Sequence, residues 1–169
     1  LPGVAAVTWS ENGVFSRTES QTTVQVEGFT PSAADDSLAY YDQVGARYAA
    51  GLGARLRQGR DLLAADDRSG SRVVLVNESF AKFYFTDGRA VGKLLRMDSV
   101  SAEIVGVIGD VKDHDLKGAP VRRVYFQYFH PQDTPSRLRF IIRATGEPAL
   151  LGNAVRGRIP AMDDELRIL

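Results

Sequence analysis

The sequence predicts an α+β fold with more strand than helix. Three observations carry that prediction. Short runs rich in β-branched and aromatic residues, such as "TTVQVEGF" (22–29), "VVLVN" (73–77) and "RLRFIIRA" (137–144), recur between polar or Gly-containing breaks. Helical patterning is confined to short stretches. Connections of hairpin length alternate with connections long enough for a crossover, so mixed sheets are expected.

In chain order, "VAAVTW" (4–9) reads as a strand, followed by a polar loop with Asn12-Gly13 and then the alternating strand 22–29. Residues 30–37, with Pro31 and Asp35-Asp36, form a loop. The segment 38–62 reads as a strand, a short helix near 47–52 and a second strand ending at Gly59-Arg60. After the loop "DDRSGS" (66–71), "VVLVN" is a buried strand. Asn77 follows as a helix cap, Glu78 complements the helix dipole, and Phe80, Phe83 and Tyr84 sit at the spacing of a buried helix face. Residues 91–111 read as a hairpin turning through Asp98-Ser99-Val100-Ser101, and its second arm, apolar on both faces, should be covered on both sides. Strands are expected at 121–129 and 137–144. A final helix opens at Gly146-Glu147-Pro148, with Leu151, Ala154, Val155 and Ile159 on one face and Pro160 as its end. Residues 165–168 read as a short edge strand.

Composition narrows the function. A chain of 169 residues buries about 70% of its unfolded surface and suits one domain or two small lobes. Twenty-one basic and 21 acidic residues balance, and neither sign gathers in one half, which argues against a nucleic-acid partner. The absence of Cys removes disulfides, thiol catalysis and Cys-ligated zinc. The opening Leu1-Pro2-Gly3 terminates a helix that is not there, and the last residues are an apolar run, so the chain reads as a piece of something longer.

The search for chemistry returns little. Asn77-Glu78-Ser79 matches a glycosylation acceptor, but a buried strand–helix junction is a poor site for one, and a lone Glu78 lacks the titratable partner that acid–base work requires. The best metal candidate is Asp110, Asp113, His114 and Asp115 in "DVKDHDL", although alternate residues of an extended segment point to opposite faces. His130 has no evident partner. The nucleophile elbow and the phosphate loop are missing, and "GLG" (51–53) lacks the third Gly of a dinucleotide fingerprint. The acidic pairs Asp35-Asp36, Asp66-Asp67 and Asp163-Asp164 do not have calcium-loop spacing. No catalytic residue and no cofactor emerge.

Taken together, several segments resemble the extracytoplasmic core domain of MacB/FtsX-type ABC transporter permeases, closest to the acidobacterial-type predicted permeases. They are "LRQGRDL" (56–62) with its acidic loop, "VLVNESFAKFYF" (74–85), Ala90-Val91-Gly92-Lys93 in place of a Pro-Ile-Gly-Lys stretch, "IVGVIGDV" (104–111), "RVYFQYFHP" (123–131) and "FIIRATGEPALLGNAVRGRI" (140–159), after the "LPGVAAV" opening. The likeness spans nearly the whole chain in the right order, but the family's first strand and helix would precede Leu1, and the aromatic turn is weaker here at Tyr48-Ala49.

The resemblance implies one MacB-like periplasmic core domain over 1–169, a bacterial inner-membrane protein's extracytoplasmic part, built of a porter-like lobe (1–54 plus 119–169) and an inserted lobe (55–118). It implies a non-catalytic role: relaying ATP-driven motion of the transmembrane helices to the periplasm, for export or for regulating a partner. The implied partners are the transmembrane part of the same permease, a second permease copy and, indirectly, a cytoplasmic ABC ATPase, with no nucleic acid. The signature residues are then structural: Gly59, Arg60, Asn77, Glu78, Phe80, Gly92, Gly106, Gly109 and Asp110, with Arg60 anchoring a loop through Asp66 or Asp67. Two other readings stay open. One is a periplasmic ligand- or peptide-binding module using the aromatic strand 124–129, and the other a metal-dependent hydrolase using the 110–115 cluster.

Overall fold

The computed structural model describes residues 2–16, 18–66, 72–112, 117–127 and 138–162. Nine strands and three α-helices lie among them. In order they are β1 (Val4–Ser10), β2 (Ser20–Val26), a 3-10 turn (Ala34–Ser37), β3 (Leu38–Gln43), α1 (Tyr48–Leu52), β4 (Leu56–Gly59), β5 (Val73–Asn77), α2 (Glu78–Tyr84), β6 (Leu94–Met97), β7 (Val100–Ile108), β8 (Arg123–Phe126), β9 (Arg139–Ala144) and α3 (Pro148–Met162).

β1 and β9 pair antiparallel as a sheet of their own, Trp9 opposite Phe140 and Val7 opposite Ile142. The other strands form one sheet in the order β4-β7-β5-β8-β3-β2-β6, and β6 returns to pair with β7. The pairings β7-β5-β8-β3-β2-β6-β7 therefore close a ring of six strands, with β4 outside it. The ring is mixed: β5–β7 and β3–β8 are parallel, the other pairs antiparallel. β7 makes closure possible because it is long enough to give its first half to β6 (Met97 opposite Val100) and its second to β4 (Gly59 opposite Gly106), while β5 takes its other edge. Pairing runs between the expected lobes, because β2 and β8 of the porter-like lobe find hydrogen-bond partners on β6 and β5 of the inserted one.

Side-chain alternation sorts the core into two clusters. Val74 and Val76 of β5 face one side with Val24, Leu95, Ile104, Val124 and the α2 residues Phe80 and Tyr84. Val73 and Leu75 face the other, with Tyr48 and Ala49 of α1, Leu62, Ile108 and Tyr125. β5 is consequently buried along its whole length, and β7 is buried from Ile104 to Ile108. Each Leu, Ile, Val or Phe so enclosed contributes about 1.5–3 kcal/mol of apolar burial.

Three local expectations are corrected. The hairpin turn is two residues, Asp98 and Ser99, instead of four, because Asp98 adopts a left-handed conformation (φ 52°) that Asp tolerates, leaving Val100 and Ser101 free to join β7. α3 runs two residues past Pro160, which stands in its last turn, where the missing N–H forfeits a single bond. Of the strand expected over 121–129, the described residues 121–127 are paired from Arg123 to Phe126. In α3, Leu151 and Val155 are half-buried and Ala154 is exposed. The 165–168 segment lies outside the described residues.

Candidate functional site: polar ties at the strand ends

Asn77 ends β5 and begins α2, and its side chain is 2% exposed. Its Oδ1 accepts from the Phe80 N–H (3.1 Å), which caps α2, and from the Arg123 N–H (2.9 Å) at the start of β8. Its Nδ2 donates to Asp110 Oδ1 (2.6 Å) and to the Val121 carbonyl (2.8 Å). One amide thus saturates its hydrogen-bonding capacity by joining the ends of β5, β7 and β8 to a helix. Asp110 is held in turn: Oδ1 also accepts from the Ser79 N–H (3.0 Å) and Oδ2 from Ser79 Oγ (2.8 Å). Glu78, beside it, pairs with Arg57 (3.1 Å) and with Lys82 one helical turn on (3.6 Å). Phe80 is fully buried, its ring 4.4 Å from that of Tyr84.

The Gly59-Arg60-Asp61 turn is a second tie. Gly59 has φ 65°, and a Cβ there would overlap the Val105 carbonyl; a Cβ on Gly106 would overlap the Arg60 carbonyl. Only glycine lets β4 and β7 approach so closely. Arg60 forks onto Asp66, Nη1 to Oδ2 at 2.7 Å and Nη2 to Oδ1 at 2.9 Å. Burial pushes the Asp66 carboxyl up, but the Arg60 guanidinium and the Leu63 N–H outweigh it and hold it below its ordinary value. Asp67 lies outside the described residues. Gly92 takes φ 85° in a turn with open space around it, whereas a Cβ on Gly109 would meet only ordinary van der Waals contacts.

Two further ties were not identified from the sequence. Asp42, 5% exposed, accepts from Ser10 Oγ and from the Asn12 N–H (3.0 Å), and Asn12 Nδ2 donates to the Tyr41 carbonyl (2.9 Å). This cluster binds the end of β1 to β3. Asp61 accepts from the Ala49, Ala50 and Leu62 N–H groups, capping α1 from eleven residues away. The Asn12-Gly13 turn was the available hint for the first; nothing local marks the second.

A cleft of about 490 Å³ lies beside Tyr40, Phe83 and Arg122, but Arg122 is already committed, donating to the Asp35 and Asp36 carbonyls and stacking 4.2 Å over Phe83. Tyr84, against the same cluster, has its hydroxyl pushed up by burial. Of the aromatic strand, Tyr125 is fully buried and lines no groove; residues 128 and 129 lie outside the described residues. Among the described residues no three His, Asp or Glu side chains converge on a point where a metal could sit. Asp113, His114 and Asp115 lie outside them.

The ties position backbone ends, and the fold and motif order meet in one family. Residues 1–150 match the MacB-like periplasmic core domain. The chain belongs to that family. It is accordingly a periplasmic domain of an ABC-type transporter permease, and its α+β fold of mixed sheets is the one solved relatives show. The periplasmic region of MacB from Actinobacillus actinomycetemcomitans superposes with a TM-score of 0.63 at 17% identity, over 96% of this chain and 69% of that one. The extracellular domain of the noncanonic ABC-type transporter YknZ from Gram-positive bacteria gives 0.57 at 15%, over 89% and 71%. No curated protein matches the chain by sequence. Among the described residues, no helix is long and apolar enough to cross a membrane.

Proposed function

We propose that this domain is a non-catalytic relay: it takes up ATP-driven motion of the transmembrane helices and passes it to the periplasm, for export or to regulate a partner. The observation that carries the reading is the use made of the polar side chains. Asn77, Asp110, Arg60, Asp66, Asp61 and Asp42, the residue types from which an active site would be built, are all engaged in tying strand ends and helix starts to one another. A relay requires rigid bodies, and a closed ring with satisfied ties is one. The relay works with a second copy of the permease, and the ATPase acts on it only through the membrane helices.

The test uses the absence of Cys in this domain. A spin label at Ser99→Cys, in the exposed β6–β7 turn, reports the distance between domain copies in the reconstituted permease with its ATPase. ATP binding should shift the distance distribution. Identical distributions with and without nucleotide would overturn the relay.

A further inference from the structure

α1 is a five-residue helix, too short to be stable alone. Arg47, the residue before it, is in the left-handed region (φ 57°, ψ 36°) and contributes no side-chain cap. The helix nevertheless forms, because both sheets hold it. From the side of the seven-stranded sheet, Asp61, just past β4, takes the Ala49 and Ala50 N–H groups on Oδ1 and Oδ2 at 3.2 and 3.0 Å. The Arg47 N–H bonds the Leu62 carbonyl at 2.8 Å, and the Tyr48 ring lies 5.1 Å from that of Tyr125.

On the side of the β1–β9 sheet the contact is made through glycines. A Cβ on Gly45 would lie 2.6 Å from Trp9 Cδ1, and one on Gly51 would overlap Thr8 Cγ2. Gly53 brings the backbone against the Arg143 guanidinium, and the Gly45 N–H bonds the Trp9 carbonyl at 2.9 Å. At Gly45, Gly51 and Gly53 bare backbone therefore meets the Trp9, Thr8 and Arg143 side chains, with no room for a Cβ at Gly45 or Gly51.

We propose that α1 is a coupler between the two sheets, working beside the Ser10–Asp42 tie at the end of β1: Asp61, just past β4, clamps it to the seven-stranded sheet, Gly45 and Gly51 seat its segment on β1, and the sheets move as one body. The inference deepens the relay reading and rests on it, since a relay whose two sheets slip past each other transmits nothing. Asp61 is a positioning residue in this scheme; its carboxylate holds α1, and α1 holds the sheet.

The test is hydrogen exchange by mass spectrometry on the full chain. Asp61→Ala should raise exchange about tenfold at the Ala49 and Ala50 amides, in line with the loss of a helix cap. It should also raise exchange in β1 and β9 while Val74–Val76 stay protected. A rise confined to α1 makes Asp61 a cap and nothing more, and overturns the coupling. If Asp61→Ala loosens β5 as well, Gly51→Ala decides. That variant keeps the clamp and places a methyl against Thr8, so exchange should rise in β1 and β9, and adding Thr8→Ser, which removes Cγ2, should restore protection. Effects of Gly51→Ala and Thr8→Ser that simply add would overturn the proposal. None of these readings requires ATP. A coupler that passes them in a permease whose domain distances ignore nucleotide would discard the relay and keep the coupler.

Discussion

The six-strand ring and the two-stranded β1–β9 sheet solve the same burial problem differently. In the ring every strand has a partner on each side, both faces of β5 are covered, and Val74, Val76 and Ile104 are fully enclosed. The β1–β9 sheet has only two strands, and the end of β1 is bridged to the chain after β3 through Ser10 and Val44. Its inner face rests on α1, while on its outer face Val7 is 48% and Phe140 67% exposed. Among the described residues, α3, which follows β9, makes no extensive contact with any strand, and its Leu150 is 71% exposed. The ring thus carries most of the stability, and the smaller sheet depends on being docked. Rigidity and exposure are separated in space, with α1 at the seam.

Substitutions sharpen that contrast. The largest effect should come from the ring core: Phe80→Ala removes a fully buried ring packed on Tyr84, and urea denaturation should show a loss of about 3–5 kcal/mol. Asn77→Ala comes next. It strips α2 of its cap and leaves the Arg123 N–H and the Val121 carbonyl without their partner, a cost of about 2–4 kcal/mol that a single exposed cap would not show. Gly59→Ala should cost about 1–3 kcal/mol, through a positive φ and a methyl against the Val105 carbonyl. At the small end, Phe140→Ala on the outer sheet face should stay within about 0.5 kcal/mol. A large loss there would mean that the outer face is not the lightly used surface it is taken for.

Acid should separate the regions as well. Asp66 has its pKa lowered in the folded state, so its pairing with Arg60 contributes stability above the carboxyl's unfolded value, and the contribution disappears as pH falls through the folded one. The expected outcome is a shallower acid-side decline in stability for Asp66→Asn than for the parent chain. Equal slopes would remove Asp66 from the account. The effect is modest, because Arg60 is substantially exposed.

How much of this was legible follows from how local each signal is. β5 and its cap can be read because "VVLVN" places the apolar run and the capping residue side by side. The two-faced burial of β7 can be read because "IVGVI" has no polar alternation to hide. Ring closure cannot be read: it depends on β7 being shared between β6 and β4, a matter of register that no window of the sequence contains. Asp61 and Asp42 are missed for a related reason. Asp61 sits beside a polar turn and Asp42 inside strand β3, and only the folded chain brings backbone N–H groups from elsewhere onto either carboxylate. The Arg60–Asp66 tie was within reach because six residues separate its partners. The family motifs carried the functional class where residue chemistry alone offered none.

The closed ring also bears on how the chain is made. β3 and β8 are parallel neighbours, Tyr40 against Arg123, so β3 emerges long before its partner exists, and β5 likewise waits for β8 on one edge. Until residues 123–126 arrive, both strands present unpaired backbone, the template on which misassembly begins. A chain cut short between β7 and β8 would therefore carry two sticky edges, which makes prompt delivery of one four-residue strand the step that decides between folding and aggregation.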